Sequence, residues 1–178
     1  MKSSGKGASA KITVSRADIP APAALKQLVR THAAVLKSSI RRMQSMNPRN
    51  LDDLVHRLHD EAFIVYDCLN CANCCRSISP AIRHSDVNEI AVKLKIRPSA
   101  VVETYLHLDE EGDYVFRQAP CPFIDSGNYC SIYSHRPRAC REYPHTDRTR
   151  FYQILSLSLK NAEVCPVVFA ILKKLEQA

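Results

Sequence analysis

The run Cys68-Leu-Asn-Cys71-Ala-Asn-Cys74-Cys75 constrains this chain more than any other stretch. A C-x2-C turn brings two sulfurs toward one ion, and the turn's backbone N–H groups can hydrogen-bond those sulfurs and offset thiolate charge. Two overlapping turns supply three or four convergent ligands, as in the C-x2-C-x2-C run of ferredoxins, where a distant Cys-Pro completes a site. Distant Cys-Pro pairs occur here at Cys121-Pro122 and Cys165-Pro166. Zinc is equally permitted, since four thiolates close a tetrahedral structural site. A single continuous helix over 68–75 would instead put Cys68, Cys71 and Cys75 on one face, as core residues. The tight spacing favours metal.

The adjacent pair Cys74-Cys75 is the difficulty. Neighbouring side chains diverge, so either one is not a ligand, or the two serve different ions, or the site is polynuclear. The chain has eight cysteines. With Cys121, Cys130, Cys140 and Cys165 the count allows two four-thiolate sites, or one site with thiols left over.

Residues 119–147 place Pro120, Pro122, Pro137 and Pro144 among three of those cysteines. Turn-rich chain of this kind buries little periodic apolar surface, and metal ligation is the obvious way to hold it. Before it, Leu25, Leu28, Val29, Leu36, Ile40 and Met43 recur at helical spacing, with Lys26, Arg30, Lys37 and Arg41 on another stripe. Asn47-Pro48 reads as a cap and first helical residue, followed by the stripe Leu51, Leu54, Val55, Leu58, Ala62 and Val65. These segments predict an antiparallel helical hairpin. Ser85 is the expected cap of a helix through Leu94, and Pro98 opens another through Leu106. Tyr114–Gln118 predicts a short strand, Phe151–Leu159 fits strand or helix, and Pro166 starts a final helix. The expected fold is mostly α with a minor β element: a small α-rich metal-binding domain with an irregular Cys/Pro-rich lobe and an N-terminal helical extension. Its expected organisation is a flexible basic tail at 1–18, a helical extension at 19–64 and a cysteine-cluster domain at 65–178.

The two motifs resemble the bacterial cysteine-cluster proteins named for CxxCxxCC, the YkgJ type. The first motif is Cys68, Cys71, Cys74 and Cys75. The second is Cys121-Pro122-Phe123-Ile124, Cys130-Ser-Ile132-Tyr133 and Arg136-Pro137-x2-Cys140-Arg141-x-Tyr143-Pro144, closed by Cys165-Pro166. The resemblance covers roughly residues 65–175. It implies a domain that chelates zinc or iron, the iron as an ion or a 4Fe-4S cluster, and leaves the biological role open. That family usually has Gly where this chain has Ala72; a position needing positive φ would strain alanine.

Other readings are weaker. Arg136 and Arg141 flank Cys140, where they either offset thiolate charge or are solvated. Tyr133 and Tyr143 fit packing better than bonding to sulfur. His135 and His145 are better read as surface residues than as ligands. Residues 1–50 hold ten Lys/Arg and one acid, so the basic N-terminus offers a nucleic-acid or other anionic partner a surface; a solvated tail is the better reading. The start is basic without an apolar stretch, unlike a signal peptide, and no run of eighteen apolar residues predicts a transmembrane helix. The expected setting is the reducing cytoplasm, where clustered cysteines bind metal. No nucleophile–base pattern, phosphate-binding glycine loop or HExxH names an enzyme. Two further readings remain: an iron–sulfur enzyme or electron carrier, and a nucleic-acid-binding module with structural zinc.

Overall fold

The computed structural model describes residues 12–177; the part of the expected tail before residue 12 lies outside them. The fold is mostly α with one two-stranded sheet. Residues 12–18, also read as tail, lie along the helix of 48–65. Val14 is buried there, and its N–H donates to Glu61 Oε2 at 3.0 Å.

The first helical stripe forms α1 (Leu25–Thr31) and α2 (Ala33–Ser45), separated at His32, whose ring reaches the Leu28 carbonyl at 3.0 Å. The basic stripe faces solvent. Asn47 caps α3 (Pro48–Val65), its side-chain oxygen accepting from Arg49 N at 3.0 Å, and Leu51, Val55, Leu58 and Ala62 are buried as the stripe requires. The first cysteine motif folds as two short helices, α4 (Cys68–Cys71) and α5 (Asn73–Ser77).

Next come α6 (His84–Leu94) and α7 (Pro98–Tyr105). Helix α6 starts one residue before the expected cap Ser85. Asp86, not Ser85, closes its first turn, accepting from Arg83 N at 2.9 Å. The expected strand is β2 (Tyr114–Phe116). It pairs antiparallel with β1 (Leu106–Leu108), which leaves α7 directly. Between them Asp109 Oδ1 accepts from Glu111 N and Asp113 N, and Gly112 supplies φ of +85°.

Residues 119–147 are irregular apart from a 3-10 turn at Tyr133–His135 and the short α8 (Arg138–Glu142). The ambiguous segment resolves as a 3-10 turn, Phe151–Ile154, running into α9 (Leu155–Asn161). Pro166 opens α10 (Pro166–Lys174), in which seven of nine residues are buried. A helix apolar on all sides needs several neighbours. Helices α2 and α3 therefore both pack against α10, where the sequence suggested a simple hairpin.

The buried apolar residues form two clusters. The larger joins α1, α2 and α3 to α9 and α10, with Cys165 within it and Tyr66 and Tyr143 packed on its border. The smaller joins α6, α7 and the hairpin to Phe123 and Ile132, with Cys121 and Cys130 packed on its border.

Candidate metal centre

The run 68–75 is pinned by local caps. Asp67 accepts from Leu69 N at 2.8 Å and so starts α4 with Cys68 in its first turn. Ala72 then adopts φ 46°, ψ 17°, ending α4 and beginning α5. This left-handed residue breaks the helix that would have made Cys68, Cys71 and Cys75 one core-facing stripe. Cys74 and Cys75 follow in α5, their Sγ atoms 3.9 Å apart.

Two bonds tie α5 to distant chain. Asn73 Nδ2 donates to the Val164 carbonyl at 2.7 Å, holding the segment that carries Cys165. The Cys121 N–H donates to the Cys75 carbonyl at 2.8 Å, joining the two motifs through the backbone. Asn128 adds a second clasp: its Nδ2 donates to the Leu69 carbonyl at 2.7 Å, and its Oδ1 accepts from Arg76 Nε at 3.2 Å. Cys121 and Cys130 flank a tight loop closed by the Ile124–Cys130 bridge and by Ser131 N donating to the Phe123 carbonyl at 2.8 Å. Cys140 is carried on α8. Cys165 is buried directly before α10.

Burial and neighbouring charges set the acidity of the thiols. Burial pushes the Cys165 thiol up to about 12, and Cys68 and Cys71 add to this. Crowding by protein atoms pushes Cys68 up to about 11 although the residue is exposed overall; Cys71 adds to this, and Cys75 adds less. Cys74 is raised by its hydrogen bond to Cys75 and by burial, with Cys165 and Cys68 acting on it too. Burial likewise lifts Cys140 to about 12 and Cys121 to about 11, and raises Cys130. Their thiol neighbours are Cys75 and one another. Cys75 is held low, first by its hydrogen bond from Cys74 and then by the Arg136 and Arg76 guanidiniums. Cys165 lies within the larger core, and Cys121 and Cys130 pack on the border of the smaller. Among the described residues, no three or more His, Cys, Asp or Glu side chains form a ready-made metal site.

The donor set suits a soft or borderline cation. Backbone N–H groups oppose the burial cost at three sulfurs: Phe123 and Ile124 at Cys121, Ile132 at Cys130, Val167 and Val168 at Cys165. Such donors stabilise thiolate over thiol. The family model for CxxCxxCC, described as "Putative zinc- or iron-chelating domain", matches residues 67–166. The chain belongs to this family. The matched segment runs from the cap Asp67 to the first residue of α10, so the CxxCxxCC domain includes all eight cysteines. No curated protein and no solved structure matches the chain.

Several neighbours of the CxxCxxCC thiols carried little signal in the sequence. Asn73, Asn128 and Arg76 align the motifs through contacts between residues 52–91 positions apart. Tyr143, read as packing, is half-buried, and its buried hydroxyl has no hydrogen-bond partner among the described residues. Tyr133 is 59% exposed, with the Arg136 guanidinium 3.9 Å from its ring centroid. His135 bonds Ser134 Oγ at 2.8 Å, and His145 stacks edge-on with Tyr143. Among the described residues, no helix is long and apolar enough to cross a membrane.

Proposed function

We propose that this CxxCxxCC chain holds two metal centres, each on four thiolates. One uses Cys68, Cys71, Cys74 and Cys165; the other uses Cys75, Cys121, Cys130 and Cys140. The observation that carries this reading is how the chain ties the motifs: Asn73 holds the Val164 carbonyl beside Cys165 in the larger core, while the Cys121 N–H holds the Cys75 carbonyl and Cys121 and Cys130 border the smaller core. The 3.9 Å between the Cys74 and Cys75 sulfurs would by itself permit one shared ion. The influence of Cys165 and Cys68 on Cys74, and of Cys75 on Cys121, Cys130 and Cys140, supports dividing the pair between two ions.

Crowded, buried thiols are costly to ionise, and a divalent cation removes that cost. Zinc and iron both accept four sulfurs, so ligand type alone leaves metal identity to supply during folding. A bound ion supplies folding free energy by joining segments that share little apolar surface, and an iron–sulfur cluster would add electron transfer. The chain's own residues orient the sulfurs through Asp67, Asn73 and the Cys121–Cys75 backbone bond, and offer N–H groups to three of them.

Elemental analysis with visible absorption on anaerobically purified protein tests this. Two zinc ions or two iron centres per chain are expected. Cys165→Ser and Cys130→Ser should each remove one centre and leave the other. A single centre, or loss of all metal from either variant, overturns the two-site reading. Cooperative folding with no metal bound overturns chelation itself.

A further inference from the structure

Helices α1 and α2 carry five exposed cations, Lys26, Arg30, Lys37, Arg41 and Arg42, and no acid. Core packing decides where these cations point. Leu25, Leu36 and Met43 are buried in the larger core, with Leu28, Val29 and Ile40 packed against it, so both helices turn one stripe inward. The stripe runs on through His32: its N–H donates to the Leu28 carbonyl, and its carbonyl accepts from Leu36 N, both at 2.9 Å. At about 3.6 residues per turn, Lys26, Arg30, Lys37 and Arg41 fall within about 60° of one another, along about 22 Å of helix.

This row is free of counter-charge. The ion pairs among the described residues are Arg57–Glu61, Arg138–Glu142 and Lys174–Asp18, and none involves the row. The 3-10 turn Leu175–Gln177, which packs on α2, brings Glu176 there, exposed and in no ion pair with it. A row of unpaired cations on a packed helix is an electrostatic footprint for a polyanion.

Its surroundings select the polyanion. No large apolar side chain of residues 12–47 is exposed. A helix that lies in a membrane surface inserts an apolar face, and here that face is already in the core. Single strands are held by stacking bases on aromatic rings, and residues 12–47 hold no Phe, Tyr or Trp. A surface with charge alone fits the outside of a double helix, where the bases are stacked away and phosphates recur. The rest of the chain adds no positive excess: residues 51–178 hold fifteen Lys/Arg against seventeen acids.

We propose that the outer face of α1 and α2 docks on the phosphate backbone of double-helical nucleic acid. Lys26, Arg30, Lys37 and Arg41 meet phosphates, and base sequence is not read. The contact lies outside the CxxCxxCC segment and does not depend on the two-site reading.

Fluorescence anisotropy of metal-loaded, full-length protein with labelled DNA and RNA duplexes of one mixed sequence tests this. Each phosphate contact steepens the fall of log K with log salt by about 0.9, so four contacts alone weaken binding on the order of 100-fold between about 50 and 200 mM salt. Replacing Lys26, Arg30, Lys37 and Arg41 together by Gln should flatten the slope by about 3.6, and each single replacement by about 0.9, whatever the duplex sequence. Lys93→Gln, on α6, should leave it unchanged. Unaltered metal content and thermal midpoint would show an intact fold, and the single variants carry the test if the fourfold variant does not fold. Binding to one duplex type alone identifies the nucleic acid and upholds the phosphate contact. No binding to either duplex at low salt, wild-type binding by the fourfold variant, or an equal loss in Lys93→Gln overturns it. So does loss of the whole salt dependence on deleting residues 1–11. Tighter binding to single strands, to phosphatidylserine vesicles or to polyglutamate would assign the face to a different anion and likewise overturn it.

Discussion

At the residue scale, Ala72 shows how far one position can be read ahead. The family comparison flags it, and the structure places it at φ 46°. The left-handed conformation costs a non-glycine residue about 1–2 kcal/mol. Glycine would relieve this, but lose about 0.5–1 kcal/mol in chain entropy and about 0.8 kcal/mol from the buried methyl. These effects nearly cancel, so Ala72→Gly should change stability by less than about 0.5 kcal/mol. Ala72→Val, β-branched at positive φ, should destabilise by about 2 kcal/mol. Urea midpoints of the metal-loaded variants check both. The cysteines stood out in the sequence as clearly as Ala72, by type and spacing. The proposed division between two centres was not legible, since it depends on which distant segment each sulfur meets.

His59 gives a prediction in pH. Burial holds it below its ordinary value, with Asp147 and Asp60 acting the other way. Its ring bonds the fully buried Thr146 Oγ1 at 2.7 Å. The unfolded chain therefore takes up the proton first. The stability from neutral His59 is complete above the usual histidine range near 6.5 and is lost as pH falls through it. Between pH 7.5 and 5.5 the wild type should lose more stability than His59→Asn. Parallel urea midpoints for the two proteins would defeat the assignment, because any protonation of thiols is common to both.

At the element scale, punctuation was readable and tertiary pairing was not. Asn47-Pro48 and Pro166 mark helix starts by chemistry local to them, and both helices begin there. Strand β1 was hidden because Leu-His-Leu follows a helical pattern and becomes strand only by meeting Tyr114–Phe116. Asp86 was hidden for a similar reason. It is 3% exposed and accepts from Arg83 N at the start of α6 and from Arg138 N at the start of α8, both at 2.9 Å. One carboxylate thus joins the smaller core to the helix that carries Cys140. Hydrogen bonds to a charged group contribute about 1.5–3 kcal/mol, so Asp86→Ala should destabilise by about 3 kcal/mol once the orphaned donors are counted. Asp86→Asn retains one acceptor and should cost less than half as much. Thermal unfolding of the pair checks the order.

For the whole molecule, the question is what joins two cores of unequal size. Among the described residues, twenty buried apolar residues make up the larger and nine the smaller. A core of nine is in the range where small folds rely on metals or disulfides. In the proposed two-centre arrangement the run 68–75 is the link, with Cys74 in one ligand set and Cys75 in the other. Adjacent cysteines, awkward for one tetrahedron, are well suited to divide between two. Removing metal should then leave α2, α3 and α10 packed while the lobe of residues 119–147 loses its hold. Arg138 and Arg141 lie in that lobe, each followed by a residue other than proline, so trypsin should cut there first in chelator-treated protein, and metal readdition should restore protection. Cleavage beginning in α2 or α3, or an unchanged digestion rate in the lobe, would show that packing alone holds the smaller core and that the metal is not the clasp.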